Sequence, residues 1–189
     1  MPGQTAIQAI EGTSTSTDRQ RRQRAFLATI PGVQSRVRFR MAVVEDVPEL
    51  TRIIRDYMQS TDWDFFVDFD YERCADYLER VIGTPFVPHI LAEERTPKSG
   101  IVGILSYELI QDFSREPIAT GHTLWIRKDY HRTALARHLI DTFLDLAQGD
   151  GASVIHLPVM SNLPEARSLK NLLRKKGFHE MGYVMRKGL

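Results

Sequence analysis

With 189 residues, 42% of them hydrophobic, the chain suits one domain with a short appendage and is too apolar to stay disordered. No apolar run approaches the roughly 18 residues of a membrane-spanning helix, and a single cysteine excludes an internal disulfide or a multi-cysteine zinc site. The net charge of +1 conceals an asymmetry: residues 1–40 hold seven arginines against Glu11 and Asp18, a balance of +5, and the remainder carries −4.

Residues 1–35 read as a basic arm of low complexity, and residues 36–189 as the folded domain. The tract Gly12-Thr13-Ser14-Thr15-Ser16-Thr17 has nothing to bury, and a short basic helix from Asp18 ends before Pro31-Gly32. Arginine-rich arms bind phosphates, but Phe26 is the sole stacking aromatic here, so beyond a solvated tail the arm fits a protein partner better than nucleic acid. Met1-Pro2-Gly3 opens without the basic start and apolar stretch of a secretory signal, and one cysteine suits a reducing compartment. A cytoplasmic location, or incorporation in a larger intracellular or viral assembly, is the expectation.

Residues 37–43 alternate as a strand. Asp46-Val47-Pro48-Glu49 then combines a capping acid, a proline in the first turn and a glutamate three residues on, which starts a helix with Val47, Leu50, Ile53 and Ile54 on its apolar stripe. A second helix spans about 70–82. Strands follow at 87–93, 100–110 and 120–126, separated by turn residues. A long helix over about 133–148 carries Leu135, Leu139, Phe143 and Leu146 on one face. Residues 154–157 read as a short buried strand and 164–176 as a helix stopped by Gly177, before a strand pair at 178–181 and 183–186. The order predicts an α/β (α+β) fold: a mixed sheet of about seven strands flanked by four helices.

Two segments carry a family resemblance. One is Leu124-Trp125-Ile126-Arg127-Lys128-Asp129-Tyr130-His131-Arg132-Thr133-Ala134-Leu135-Ala136, a strand running through a loop into the long helix. The other is Leu172-Leu173-Arg174-Lys175-Lys176-Gly177-Phe178, a final helix running into Gly-Phe. With the element order, these resemble the GNAT superfamily of acyl-CoA-dependent N-acetyltransferases over residues 37–189. The resemblance implies acetyl-CoA as co-substrate and an amine acceptor. It also implies a cofactor site from Trp125, Ile126 and Arg127 through His131, Arg132, Thr133, Ala134, Leu135, Ala136 and Arg137, with Asn162 beside the pantetheine arm.

The physical basis of that loop is a helix N-terminus, whose unpaired N–H groups and partial positive charge attract a pyrophosphate. Here His131 stands where the family has Arg or Gln, and Ala134 replaces its first glycine. Arg132 and Arg137 restore charge from neighbouring positions, and alanine is tolerable wherever φ is negative. The resemblance places the base that deprotonates the amine on the fourth strand, at His122, with Glu108 next door as second choice. The family's usual acid, a tyrosine four residues before Gly-Phe, is Leu173 here. Tyr183 or Tyr130 would have to substitute, or the thiolate would leave unaided.

The spacing of Cys74 suits core packing, and the six histidines show no metal-ligand spacing. Asp62-Trp63-Asp64-Phe65-Phe66-Val67-Asp68-Phe69-Asp70-Tyr71-Glu72 alternates acids with aromatics, which suits either a cationic amine acceptor or an ordinary loop whose Asp70 caps a helix. The expected function is acyl transfer from acetyl-CoA to an amine by direct attack. The alternative is a non-catalytic component of the same fold, docked by its arm into a larger assembly such as a phage virion.

Overall fold

The computed structural model describes residues 37–60, 68–95, 100–111, 115–131, 133–159 and 165–182. The basic arm, most of the acidic and aromatic stretch, and the expected strand at 183–186 lie outside them. Among the described residues five strands form one sheet in chain order: β1 (Val37–Met41), β2 (His89–Glu94), β3 (Ile101–Ile110), β4 (Ile118–Ile126) and β5 (Val154–His156). The first three pairings are antiparallel, and β4 pairs with β5 in parallel through a helical crossover, as a parallel neighbour requires. The described residues also hold four α-helices: α1 (Val47–Ser60), α2 (Tyr71–Val81), α3 (Leu135–Gly149) and α4 (Ala166–Lys175).

The helices follow from their apolar stripes, and α2 also from its cap. The Asp70 carboxylate accepts the Arg73 N–H at 2.9 Å and so starts α2. A 3-10 turn, Val44–Asp46, leads into α1, and the Asp46 carboxylate turns back to accept the Val43 N–H at 2.8 Å. The stripe of α3 is fully buried at Leu135, Leu139 and Phe143, and it covers one face of the sheet together with Leu173 of α4. On the opposite face α1 and α2 bury Leu50, Ile53 and Leu78 against Leu91, Ile101 and Ile104, with Trp125 at the margin.

Where α3 crosses β3, Gly103 leaves room for it. A Cβ there would stand 2.9 Å from Leu139 Cδ1, 3.3 Å from Leu135 Cδ2 and 3.4 Å from the Ala92 Cβ. Gly103→Ala is therefore expected to overpack this face and destabilise the fold by about 1–2 kcal/mol, read by denaturant unfolding. An unchanged midpoint would mean that α3 does not sit this close to the sheet.

Three expectations need correction. Among the described residues the sheet has five strands, not about seven. Residues 178–182 form no strand, because Glu180 turns back along α4 and bonds Lys170 at 3.3 Å and Arg174 at 3.0 Å. The short strand at 154–157 is not buried either: Val154 and His156 are exposed, since among the described residues β5 has a neighbour on one side only.

Candidate active site

The site begins where β4 loses its partner. Register between β4 and β5 ends at Thr120↔His156, and from Gly121 onward β4 has no strand partner on that side among the described residues. Two local features mark the parting. A Cβ on Gly121 would lie 2.4 Å from Leu157 Cδ1, so the leucine folds over the glycine just as the strands diverge. Beside it, Ser106 faces Thr123 but Tyr107 faces Gly121, which leaves His122 as the extra residue of a β-bulge.

The bulge aims His122 at Glu108. Nε2 of the imidazole lies 3.1 Å from Glu108 Oε2, and both side chains remain more than 40% exposed, open to an incoming substrate. Glu108 lies between Tyr107 and Leu109, both buried against α3, so it points to the opposite face, toward α2. Tyr77 of α2 belongs to the same neighbourhood: burial, and then the charge of Glu108, push its hydroxyl above the usual tyrosine range. His89, which faces Ser106 across β2 and β3, is buried. Burial holds its imidazole below the usual range against a 2.9 Å bond to the Val87 carbonyl, and the nearby His122 reinforces this. The sequence reading missed both Tyr77 and His89. Tyr77 has the spacing of a core residue, and the one local sign of His89 is its place just after Pro88.

Backbone geometry defines what β4 offers on its open side. The Arg127 N–H donates to the Val102 carbonyl at 2.9 Å beside the pair Gly103↔Ile126, which makes that pair a non-hydrogen-bonded one. The amide and carbonyl of Ile126, and by alternation those of Leu124, thus point away from β3 into the gap. Those of Trp125 face β3, and its indole packs on the α1–α2 side. A strand-like ligand lying along β4 would meet Leu124 and Ile126.

The loop after β4 is tied down. Arg127 bonds Asp129 at 2.8 and 2.9 Å and Glu94 at 3.2 Å, its guanidinium stacks 5.1 Å above the Tyr130 ring, and the Tyr130 hydroxyl donates to Glu94 at 3.0 Å. Tyr130 is thereby engaged at the β2 end, and Arg127 braces the loop. Thr133 Oγ1 accepts the Leu135 N–H at 3.2 Å, and Ala134 has φ −73°, a conformation in which alanine costs nothing over glycine. The first intrahelical bond runs from the His138 N–H to the Ala134 carbonyl, so the N–H groups of Ala136 and Arg137 point out of the end of α3. His131 Nε2 lies 2.9 Å from the Ile126 carbonyl oxygen, and its Nδ1 lies 3.5 Å from Glu165 at the start of α4.

Arg132, Asn162 and Tyr183 lie outside the described residues. Leu173 is buried in the α3-side core, so no hydroxyl is presented there. Of the acidic and aromatic stretch, the described part is structural: Asp70 caps α2, Phe69 and Tyr71 meet edge to face at 6.4 Å, and the Tyr71 hydroxyl donates to the Pro48 carbonyl of α1 at 3.3 Å. Cys74 is half-buried, and burial raises its thiol above the usual range. Among the described residues no cluster of His, Cys, Asp and Glu is placed to hold a metal, and no helix is long and apolar enough to cross a membrane.

The family model described as acetyltransferase (GNAT) family matches residues 50–178. No curated protein sequence matches the chain. Among solved structures, a predicted acetyltransferase of Clostridium acetobutylicum bound to acetyl-CoA superposes with a TM-score of 0.64 at 14% identity, covering 80% of this chain and 96% of its own. An aminoglycoside acetyltransferase from an uncultured soil metagenomic sample, in complex with sisomicin, gives 0.62 at 16% identity over 83% and 99%. The ribosomal-protein-alanine N-acetyltransferase of Brucella melitensis gives 0.56 at 18% identity over 80% and 99%. At these identities the likeness is one of fold.

Proposed function

The chain belongs to the acetyltransferase (GNAT) family, and we propose that within it the protein is an N-acyltransferase that moves the acetyl group of acetyl-CoA to a primary amine by direct attack. The observation that carries this reading is the parting of β4 from β5 beside the bulged His122–Glu108 pair. One opening then offers edge amides for the thiol arm and a base for the amine.

In this reading the pantetheine arm lies along Leu124 and Ile126 as an added strand. The pyrophosphate meets the Ala136 and Arg137 N–H groups at the end of α3, with Arg132 and Arg137 as the nearest cations and Asn162 beside the arm. The Leu124 N–H polarises the thioester carbonyl as negative charge develops on its oxygen. The amine enters from the α1–α2 side, and His122, held by Glu108, takes its proton directly or through a water as the C–N bond forms. The C–S bond then breaks and the thiol leaves as thiolate, which a thiol pKa of roughly 8.5 permits without an acid in place of Leu173. Tyr183 is the remaining candidate for protonating it. The acidic charge of the 62–72 stretch favours a cationic amine.

Residues 1–35 are assigned to docking on a protein partner. Calorimetric titration of the full chain with CoA and acetyl-CoA, up to millimolar concentration, tests the reading. Saturable heat is expected, and it should persist when residues 1–35 are deleted. Absence of heat in the folded full-length chain would remove the enzyme reading and leave the non-catalytic assembly component.

A further inference from the structure

Glu94 is an unexpected residue to find on a loop that leads into an anion-binding helix end, because its charge alone would repel a pyrophosphate. It is the last residue of β2, where its backbone is fixed from two sides: it pairs with Val37 of β1, and its N–H donates to the Gly100 carbonyl at 3.1 Å. The carboxylate is largely covered, and the segment after β4 engages both of its oxygens. Oε1 accepts the Tyr130 hydroxyl at 3.0 Å, and Oε2 accepts Arg127 Nη2 at 3.2 Å. From Tyr130 the hydrogen bonds run on to α3. The Tyr130 carbonyl accepts the Thr133 N–H at 3.3 Å and the Thr133 hydroxyl at 2.7 Å, and Thr133 Oγ1 in turn accepts the Leu135 N–H at 3.2 Å. Thr133 is thus held by Tyr130 and occupies the first amide of α3, which leaves those of Ala136 and Arg137 to point outward.

We propose that Glu94 is a positioning residue for the phosphate end of the cofactor site: it anchors Tyr130 and, through Tyr130 and Thr133, fixes the start of α3 where a pyrophosphate meets its amides. The inference rests on the acyl-CoA reading above and adds to it a residue from a different strand, one that touches no ligand itself. Charge and positioning make opposite demands on it. If charge decided, removing the carboxylate would strengthen the binding of an anion, and alanine and glutamine at position 94 would act alike. If positioning decides, alanine releases Tyr130, and affinity falls with the fraction of molecules that still hold the loop in place. Glutamine keeps an oxygen that accepts the Tyr130 hydroxyl, so it recovers most of the loss. Hydrogen bonds to a largely covered carboxylate are among the stronger ones, and losing this anchor corresponds to about a 5- to 30-fold reduction in affinity. Arg127 keeps its two bonds to Asp129 when Glu94 is replaced, so the other brace of the loop remains.

Calorimetric titration of CoA and of pantetheine into the full chain and its Glu94→Ala, Glu94→Gln and Tyr130→Phe variants tests this. Glu94→Ala is expected to bind CoA about 5- to 30-fold more weakly than the parent, Tyr130→Phe about 3- to 10-fold more weakly, and Glu94→Gln within about 3-fold of it. Pantetheine, which carries no phosphate, should bind all four chains alike. Tyr130→Phe removes one hydroxyl and no charge, so it carries the test alone if Glu94→Ala does not fold. If the parent binds CoA but Glu94→Ala and Tyr130→Phe bind it as well or more tightly, the positioning role is overturned while the acyl-CoA site stands. An equal loss for pantetheine would also overturn it, by placing the effect on the strand edge and not at the phosphates. If no chain binds CoA, the acyl-CoA reading and the role of Glu94 fall together.

Discussion

Replacing His122 with alanine is expected to lower the turnover of acetyl transfer by about 10²- to 10⁴-fold while leaving the affinity for CoA unchanged. The imidazole stands at a bulge that the ladder between β3 and β4 does not use, so its loss removes no pairing from the sheet. Its ring contacts Glu108 in a half-exposed position, not in the core, and the variant should fold normally. Thiol release from acetyl-CoA in the presence of a cationic primary amine reads the rate, and calorimetry reads CoA binding. Glu108 is a positioning residue in this scheme, since it holds the Nε2 side of the ring and leaves Nδ1 for the proton. Glu108→Ala should therefore cost less than His122→Ala, and the double variant should be no slower than His122→Ala alone. Additive losses would make Glu108 an independent base. A His122→Ala enzyme of near-normal rate would take His122 out of the chemistry.

The parts of this molecule that periodicity and caps determine locally were legible in its sequence. The α3 stripe Leu135, Leu139 and Phe143 is buried as the 3.6-residue period requires, and Asp70 caps α2 as its position predicts. Fold membership was legible for the same reason, because the order of strands and helices survives substitution of single residues. What the sequence could not display is geometry created by irregularity. His122 and Glu108 are 14 residues apart on adjacent strands, and a one-residue bulge brings them together. In a regular ladder, alternation alone would set where each points.

The same limit applies to the loop after β4. By position His131 is a phosphate contact, yet its ring turns back onto the strand it follows and meets Glu165, which is 34 residues further on. Arg127 looks available for an anion, yet Asp129 and Glu94 engage it. Neither outcome has a periodic signature, because each depends on which acid the folded chain delivers beside a given base. The strand expected at 178–181, which does not form, is a third example. Its alternation is real, but the carboxylate of Glu180 finds two cations on α4 and draws the segment away from the sheet.

Arg40→Met is expected to destabilise the protein by about 2–3 kcal/mol at neutral pH, and the deficit should shrink as the pH falls. Arg40 is the joint between β1, β2 and the start of α1: it meets Asp46 through two bonds, at 2.6 and 2.8 Å, and Glu93 through Nε at 2.9 Å. Asp46 and Glu93 are both largely covered, so methionine would fill the space but leave two adjacent carboxylates without their shared cation. Burial pulls the Asp46 carboxyl upward, but the bonds from Arg40 and the Val43 N–H outweigh it and hold the group below its ordinary range. Glu93 behaves alike, with burial outweighed by Arg40 and Arg38. A carboxyl depressed in the folded state contributes stability that is fully present above its unfolded pKa, about 4, and is lost as the pH falls through the folded value. Arg40 itself is raised and stays charged throughout, so the window belongs to the two acids. Denaturant unfolding at pH 7 and again below pH 4 should therefore show parent and variant converging in acid. Lysine at position 40 should restore part of the stability at most, because an ammonium cannot present the forked pair of bonds to Asp46. A gap that stays constant with pH would assign the loss to packing of the arginine stem instead of to its charge.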